Sequence, residues 1–71
     1  MTDPDDELLT ITEVAEYLRV PVATLRYWRH LGTGPASFKL GRNVRYLRAD
    51  VNHWLAEQAA LSTVQAGLPR T

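Results

Sequence analysis

Pro21 stands between two runs of helical periodicity separated only by Arg19-Val20-Pro21. In the first run Ile11, Val14, Ala15 and Leu18 fall within about 100° of arc, an apolar stripe one helix face wide. In the second run Leu25, Trp28 and Leu31 repeat the pattern. Proline cannot continue the first helix, because it lacks the N–H and its ring meets the preceding turn. At the first turn of a new helix the same residue is tolerated. The chain is thus constrained to two short helices with a tight turn between them, each offering one face to a shared core. Thr10-Ile11-Thr12-Glu13 marks the first start as a capping box, with the Thr10 hydroxyl on amide groups and Glu13 reaching back.

The second helix, from about Val22 to Leu31, carries Ala23, Arg26, Tyr27 and His30 opposite its apolar side, with Arg29 flanking them. Two short helices with about three residues between them, the second exposing Arg and Tyr, form a helix-turn-helix pattern. Gly32-Thr33-Gly34-Pro35 then forces a turn. Phe38-Lys39-Leu40 and Val44-Arg45-Tyr46-Leu47 alternate apolar and basic residues around Gly41-Arg42-Asn43, which predicts a β-hairpin with a three-residue link. Phe38, Leu40, Val44 and Tyr46 suit its inner face, with Lys39, Arg42 and Arg45 toward water. A slip of one residue exchanges Val44 and Arg45. A third helix is predicted from near Ala49, with Asp50 in its first turn and Val51, Trp54 and Leu55 on its apolar side. Its core contact is expected to end near Gln58. Leu61, Val64 and Leu68 continue the spacing into a tail that Gly67 and Pro69 make a poor helix.

Charge is sorted along this framework. Arg19 to Arg48 contain seven Arg or Lys and no acid, whereas residues 1 to 18 hold six acids and no Lys or Arg, so a net charge of +0 hides a strong local field. A cationic stretch of this kind attracts polyanions. The alternative is a solvated surface whose bases pair with the acids. An α-helix fits a DNA major groove, where Arg can pair bidentately with guanine, and Tyr and Arg also reach phosphates. Ala23 near the helix start permits close approach. The hairpin can lie along the backbone or place an Arg in the minor groove; alternatively its bases only protect a sheet edge.

Size narrows the chemistry. Seventy-one residues make one domain, and such a chain buries only about 60 % of its unfolded surface. Binding a larger partner is easier for it than enclosing a substrate. No cysteine is present, which excludes disulfides and thiolate metal sites. His30 and His53 lie on different helices, so no metal site or other cofactor is expected. Tyr17, Tyr27 and Tyr46 are better assigned to packing and phosphate contact than to a nucleophile, because so small a core offers little to hold an activating cluster; the chain is read as no enzyme. Trp28 and Trp54 are read as packing residues. No stretch of eighteen apolar residues occurs and the start is acidic, so a cytoplasmic protein without a membrane partner is expected.

With these residues in place a family resemblance is visible. Leu9 to Leu18, Val20, and Thr24-Leu25-Arg26-Tyr27-Trp28 look like the start of the MerR-like and excisionase-like winged helix-turn-helix families. Gly32-Thr33-Gly34-Pro35, Leu40-Gly41-Arg42, Val44-Arg45-Tyr46 and Ala49 to Leu55 resemble the rest of that module, over about residues 8 to 57. The resemblance implies a recognition helix with Ala23, Thr24, Arg26, Tyr27, Arg29 and His30, and a wing and turn with Arg19, Lys39, Arg42, Asn43 and Arg45. Many relatives have a Gly-hydrophobic-Ser turn where this chain has Arg19-Val20-Pro21, which loses a side-chain cap and adds a base beside the DNA face. Small relatives include recombination directionality factors, or excisionases, several copies of which bind neighbouring sites, bend DNA and assist an integrase.

The expectation is therefore a mainly α, winged helix-turn-helix fold of three helices and a two-stranded wing. An acidic mobile arm is expected over 1–8, the DNA-binding domain over 9–58 and a helical tail over 59–71. The expected role is an excisionase-like binder of double-stranded DNA, acting with copies of itself and with a phage-type integrase, and without a small-molecule effector. Leu61, Val64 and Leu68 are candidates for self-association. The rivals are a small MerR-like transcription regulator and a protein-interaction module with a basic face.

Overall fold

The structure, a computed structural model, describes residues 6–66, with side chains described as far as residue 62. The element order is β1 (Leu8–Thr10), α1 (Ile11–Leu18), α2 (Val22–Leu31), β2 (Phe38–Leu40), β3 (Asn43–Leu47) and α3 (Arg48–Ala66). This is the expected mainly helical winged helix-turn-helix, with one strand more than expected. The capping box is complete: Thr10 Oγ1 accepts from Glu13 N at 3.1 Å and Glu13 Oε1 accepts from Thr10 N at 2.8 Å.

Both helices of the pair end in the same left-handed closure. After α1, Val20 N donates to Ala15 O at 3.0 Å and Arg19 N to Glu16 O at 3.3 Å. After α2, Thr33 N donates to Trp28 O at 2.8 Å and Gly32 N to Arg29 O at 3.1 Å. This crossed pair of bonds is the Schellman arrangement, which needs a positive φ at the residue after the helix. Gly32 supplies it at φ 76°, but Arg19 supplies it at φ 60°, the sole non-glycine residue with positive φ among those described. Pro21 then caps α2 with no side-chain hydrogen bond, as its chemistry requires.

The core is small. Leu9, Val14, Ala15, Leu25, Tyr46 and Val51 are buried, with Ile11, Leu18, Val20, Val22, Trp28 and Val44 packed around them. Each large buried apolar side chain contributes about 1.5–3 kcal/mol relative to exposure. Trp28 and Trp54 meet with ring centroids 5.3 Å apart and planes 46° apart, tying α2 to α3 as packing residues. Leu31 does not join them and is 52 % exposed, because α2 has already passed the core edge by its last residue.

The sheet departs from expectation in two ways. It has three antiparallel strands in the order β1-β3-β2, with Leu9 opposite Tyr46. Leu8, assigned to a mobile arm from sequence, pairs with Leu47 instead, and Glu7 binds Arg48 through both backbone and side chain. The acids Asp3 and Asp5 lie outside the described residues. The second departure is the hairpin register. Leu40 pairs with Asn43, so the link is the two residues Gly41-Arg42, not three. Gly41 alone of the two has positive φ, at 64°, which matches a type II′ turn. One residue fewer in the link reverses the faces of β2. Phe38 is opposite Arg45 and Lys39 opposite Val44, so Phe38 and Leu40 lie on the outer face, both exposed; of the four apolar residues expected inside only Val44 and Tyr46 are there, and Lys39, expected outside, shares their face.

α3 begins directly after β3, one residue earlier than expected, and runs for 19 residues, about 28 Å at 1.5 Å per residue. Val51 is fully buried, whereas Leu55 and Leu61 are 40 % and 60 % exposed, so the helix leaves the core within two turns and projects beyond it. The side chains of Val64 and Leu68 lie outside the described residues.

Candidate nucleic-acid interface

The face of α2 opposite Leu25 carries the groove-reading candidates. Ala23, Arg26, Tyr27 and His30 are all exposed, Tyr27 at 59 %, while Thr24, Trp28 and Arg29 are half-buried and Leu25 is at 0 %. The separation follows from helical geometry, since positions 23, 26, 27 and 30 share one side and 25 and 28 the other. Among the described residues no ion pair engages Arg19, Arg26, Arg29, Lys39, Arg42 or Arg45; the pairs present are Arg48–Glu7 at 2.8 Å and His53–Glu57 at 3.4 Å. Arg48, outside the candidate set, is the base that Glu7 engages, and its guanidinium also lies 5.2 Å from the Tyr17 ring centroid. Tyr17 in turn donates to Asn52 Oδ1 at 2.6 Å. This group holds β1, α1 and α3 together on the side of the molecule that includes Glu7.

The remaining candidates divide by role. Arg29 is half-buried and its Nε donates to Ser37 Oγ at 2.9 Å, so it braces the loop between α2 and β2. Arg45 is half-buried and its Nη1 donates to Val44 O at 2.8 Å. Arg42 is exposed in the hairpin turn, beside exposed Asn43. Lys39 is exposed too, but the two-residue turn puts it on the opposite face of the hairpin from Arg45. Sequence alone had placed the two on one face. Arg19, exposed in its left-handed turn, sits between α1 and α2.

Ser37 was missed from sequence, because Gly32-Thr33-Gly34-Pro35 and its neighbours were read only as a turn. The phenol of Tyr46 is buried near Ser37 and Arg29, and its oxygen makes no hydrogen bond of good geometry. Burial pushes its pKa above the ordinary 10.0, opposed by the Arg29 guanidinium and more weakly by the Ser37 hydroxyl. Among the described residues no cluster of His, Asp or Glu has metal-binding geometry, and no helix is long and apolar enough to cross a membrane.

Two helices in this relation, with an acid-free outer face on the second and a basic hairpin after it, define a winged helix-turn-helix. The helix-turn-helix domain family matches residues 8–59, more than half of the chain, and the protein belongs to that family. Membership implies sequence-specific binding of DNA. No curated protein matches the chain.

Proposed function

We propose that α2 lies in the major groove with Arg26, Tyr27 and His30 toward base edges and phosphates, and Ala23 allowing close approach. Arg42 and Arg45 of the hairpin then lie on the flanking backbone, with Lys39, Asn43 and Arg19 at its margins and Thr24 and Arg29 flanking α2. The observation that carries this reading is the burial contrast along α2: Leu25 fully buried, and the four positions 23, 26, 27 and 30 exposed without a nearby acid on the helix. The role it supports best is that of an excisionase-like architectural protein, several copies of which bend DNA and assist an integrase. Bending 20–30 bp by 40–90° costs about 1–6 kcal/mol, so cooperation between copies suits the task. The projecting half of α3, with Leu55 and Leu61 exposed, supports contact with a neighbouring copy.

A second reading, a small MerR-like transcription regulator, is favoured by the same helix. If α3 pairs two copies about a two-fold axis, the complex reads an inverted repeat with fixed half-site spacing. Gel-shift titration on long duplexes separates the two. Excisionase-like assembly gives a ladder of evenly added, cooperative complexes, and a regulator gives one discrete species on a symmetric site. Salt titration tests DNA binding itself: with about four to six phosphates neutralised, log K falls with log[salt] at a slope of about −4 to −5. No salt-dependent binding to any duplex would favour a protein-interaction module with a basic face.

A further inference from the structure

A concavity of about 330 Å³ between the end of α2 and the start of β2 is not used by the groove-reading face. It is lined by Arg29 and by the loop from Gly32 to Ser37. Its donors are unusually complete for so short a segment. Arg29 Nε is occupied by Ser37 Oγ at 2.9 Å, which orients the guanidinium and leaves both Nη groups without an acceptor among the described residues. The backbone N–H groups of Gly34, Ala36 and Ser37 likewise have no acceptor there. No Asp or Glu lines the concavity.

Two of the last four carbonyls of α2, those of Trp28 and Arg29, are occupied, which lessens the repulsion of an anion there. Trp28 O accepts from Thr33 N at 2.8 Å and from Thr33 Oγ1 at 3.3 Å, and Arg29 O accepts from Gly32 N at 3.1 Å. The loop conformation is also enforced. A Cβ on Gly34, at φ +81°, would lie 3.0 Å from Trp28 Cβ and 3.1 Å from Trp28 Cε3, so the backbone passes against the indole as only glycine can. A planar cation held in position beside several unpaired amides, with no carboxylate, is the donor set of an oxyanion site.

We infer that this loop concavity is a phosphate site, filled by a backbone phosphodiester of the duplex in whose groove α2 lies. The inference rests on the DNA-binding reading and adds a third contact to it, between recognition helix and wing. Arg29 is therefore a phosphate ligand braced by Ser37 and not a reader of bases.

The first test uses inorganic phosphate with the ¹⁵N-labelled full chain, titrated against chloride at equal ionic strength. Amide shifts confined to residues 32–37 and the Arg29 Nε support the site; no shifts there, or equal shifts across all basic residues, overturn it. The second uses duplex DNA and salt. Arg29→Gln should lower the steepness of the log K against log[salt] plot by about 0.9, the value of one phosphate contact, with sequence preference unchanged. Ser37→Ala, which frees the guanidinium without removing charge, should weaken binding to all duplexes alike, and it substitutes should Arg29→Gln fail to fold. Slopes and affinities equal to the parent's in both variants overturn the site while leaving DNA binding intact. A parent chain that shifts with phosphate but binds no duplex overturns the DNA source, and the groove-reading proposal with it.

Discussion

Arg19 is the position at which the turn's backbone and the proposed interface make opposing demands. Its φ of 60° and ψ of 43° lie in the left-handed region, and two hydrogen bonds, Val20 N to Ala15 O and Arg19 N to Glu16 O, hold it there. For an L-residue with a Cβ that conformation costs about 1–2 kcal/mol. Glycine removes the strain but loses about 0.5–1 kcal/mol through the greater freedom of its unfolded chain. Arg19→Gly is therefore expected to stabilise the domain by about 0.5–1 kcal/mol, which at about 4–8 °C per kcal/mol raises Tm by roughly 2–8 °C. Arg19→Ala keeps the strain and removes only the charge, so its Tm should stay at or below the parent's. Both variants should flatten the salt dependence of DNA binding by about 0.9 if Arg19 meets a phosphate. Thermal melts by circular dichroism, with duplex titrations at two salt concentrations, read both quantities. Equal melting temperatures for Arg19→Gly and Arg19→Ala would refute the strain argument.

Three further outcomes follow from the packing and the interface. Gly34→Ala should destabilise by about 2–4 kcal/mol, since it combines left-handed strain with a Cβ driven into Trp28, whereas Gly32→Ala, which meets open space, should cost only about 1 kcal/mol; urea midpoints compare them. Tyr46→Phe should leave stability unchanged or raise it by up to about 1–3 kcal/mol, because it deletes a buried donor with no partner. The same variant should flatten the alkaline limb of a stability–pH curve: burial raises the Tyr46 pKa, so its neutral form supports the fold below the ordinary 10.0 and that support is lost as pH rises through the higher folded value. Arg26→Ala should cost about 1–3 kcal/mol on the preferred site and blur preference, while Arg45→Ala weakens all sequences alike, as measured by competition among duplexes.

The helical part of this fold is legible in the sequence because its signals are local. Thr10 and Glu13 are three residues apart and make both bonds of the capping box, and the alternation of Leu25 with Arg26 and Tyr27 fixes which side of α2 is buried. The sheet is less legible because its determinants are not local. Phe38-Lys39-Leu40 alternates equally well in either register, and both faces of β2 are exposed, so burial does not choose between them. The choice falls to Gly41, whose positive φ makes a two-residue turn and carries Phe38 and Leu40 to the outer face. Strand β1 is three residues long and finds its partner across the chain, Leu9 opposite Tyr46, which no periodicity within Leu8-Leu9-Thr10 announces. At the interface the residue types were visible but their support was not: that Arg29 braces Ser37 depends on how the loop after α2 folds back.

The central claim is that the outward side of α2 enters the groove with the hairpin beside it. The direct measurement is a chemical-shift map of the labelled chain on addition of its preferred duplex. The account predicts the largest changes at residues 23–30 and 39–45, with α3 beyond Leu55 little affected when a single copy is bound. Changes centred on α3, with α2 and the hairpin unmoved, would contradict it.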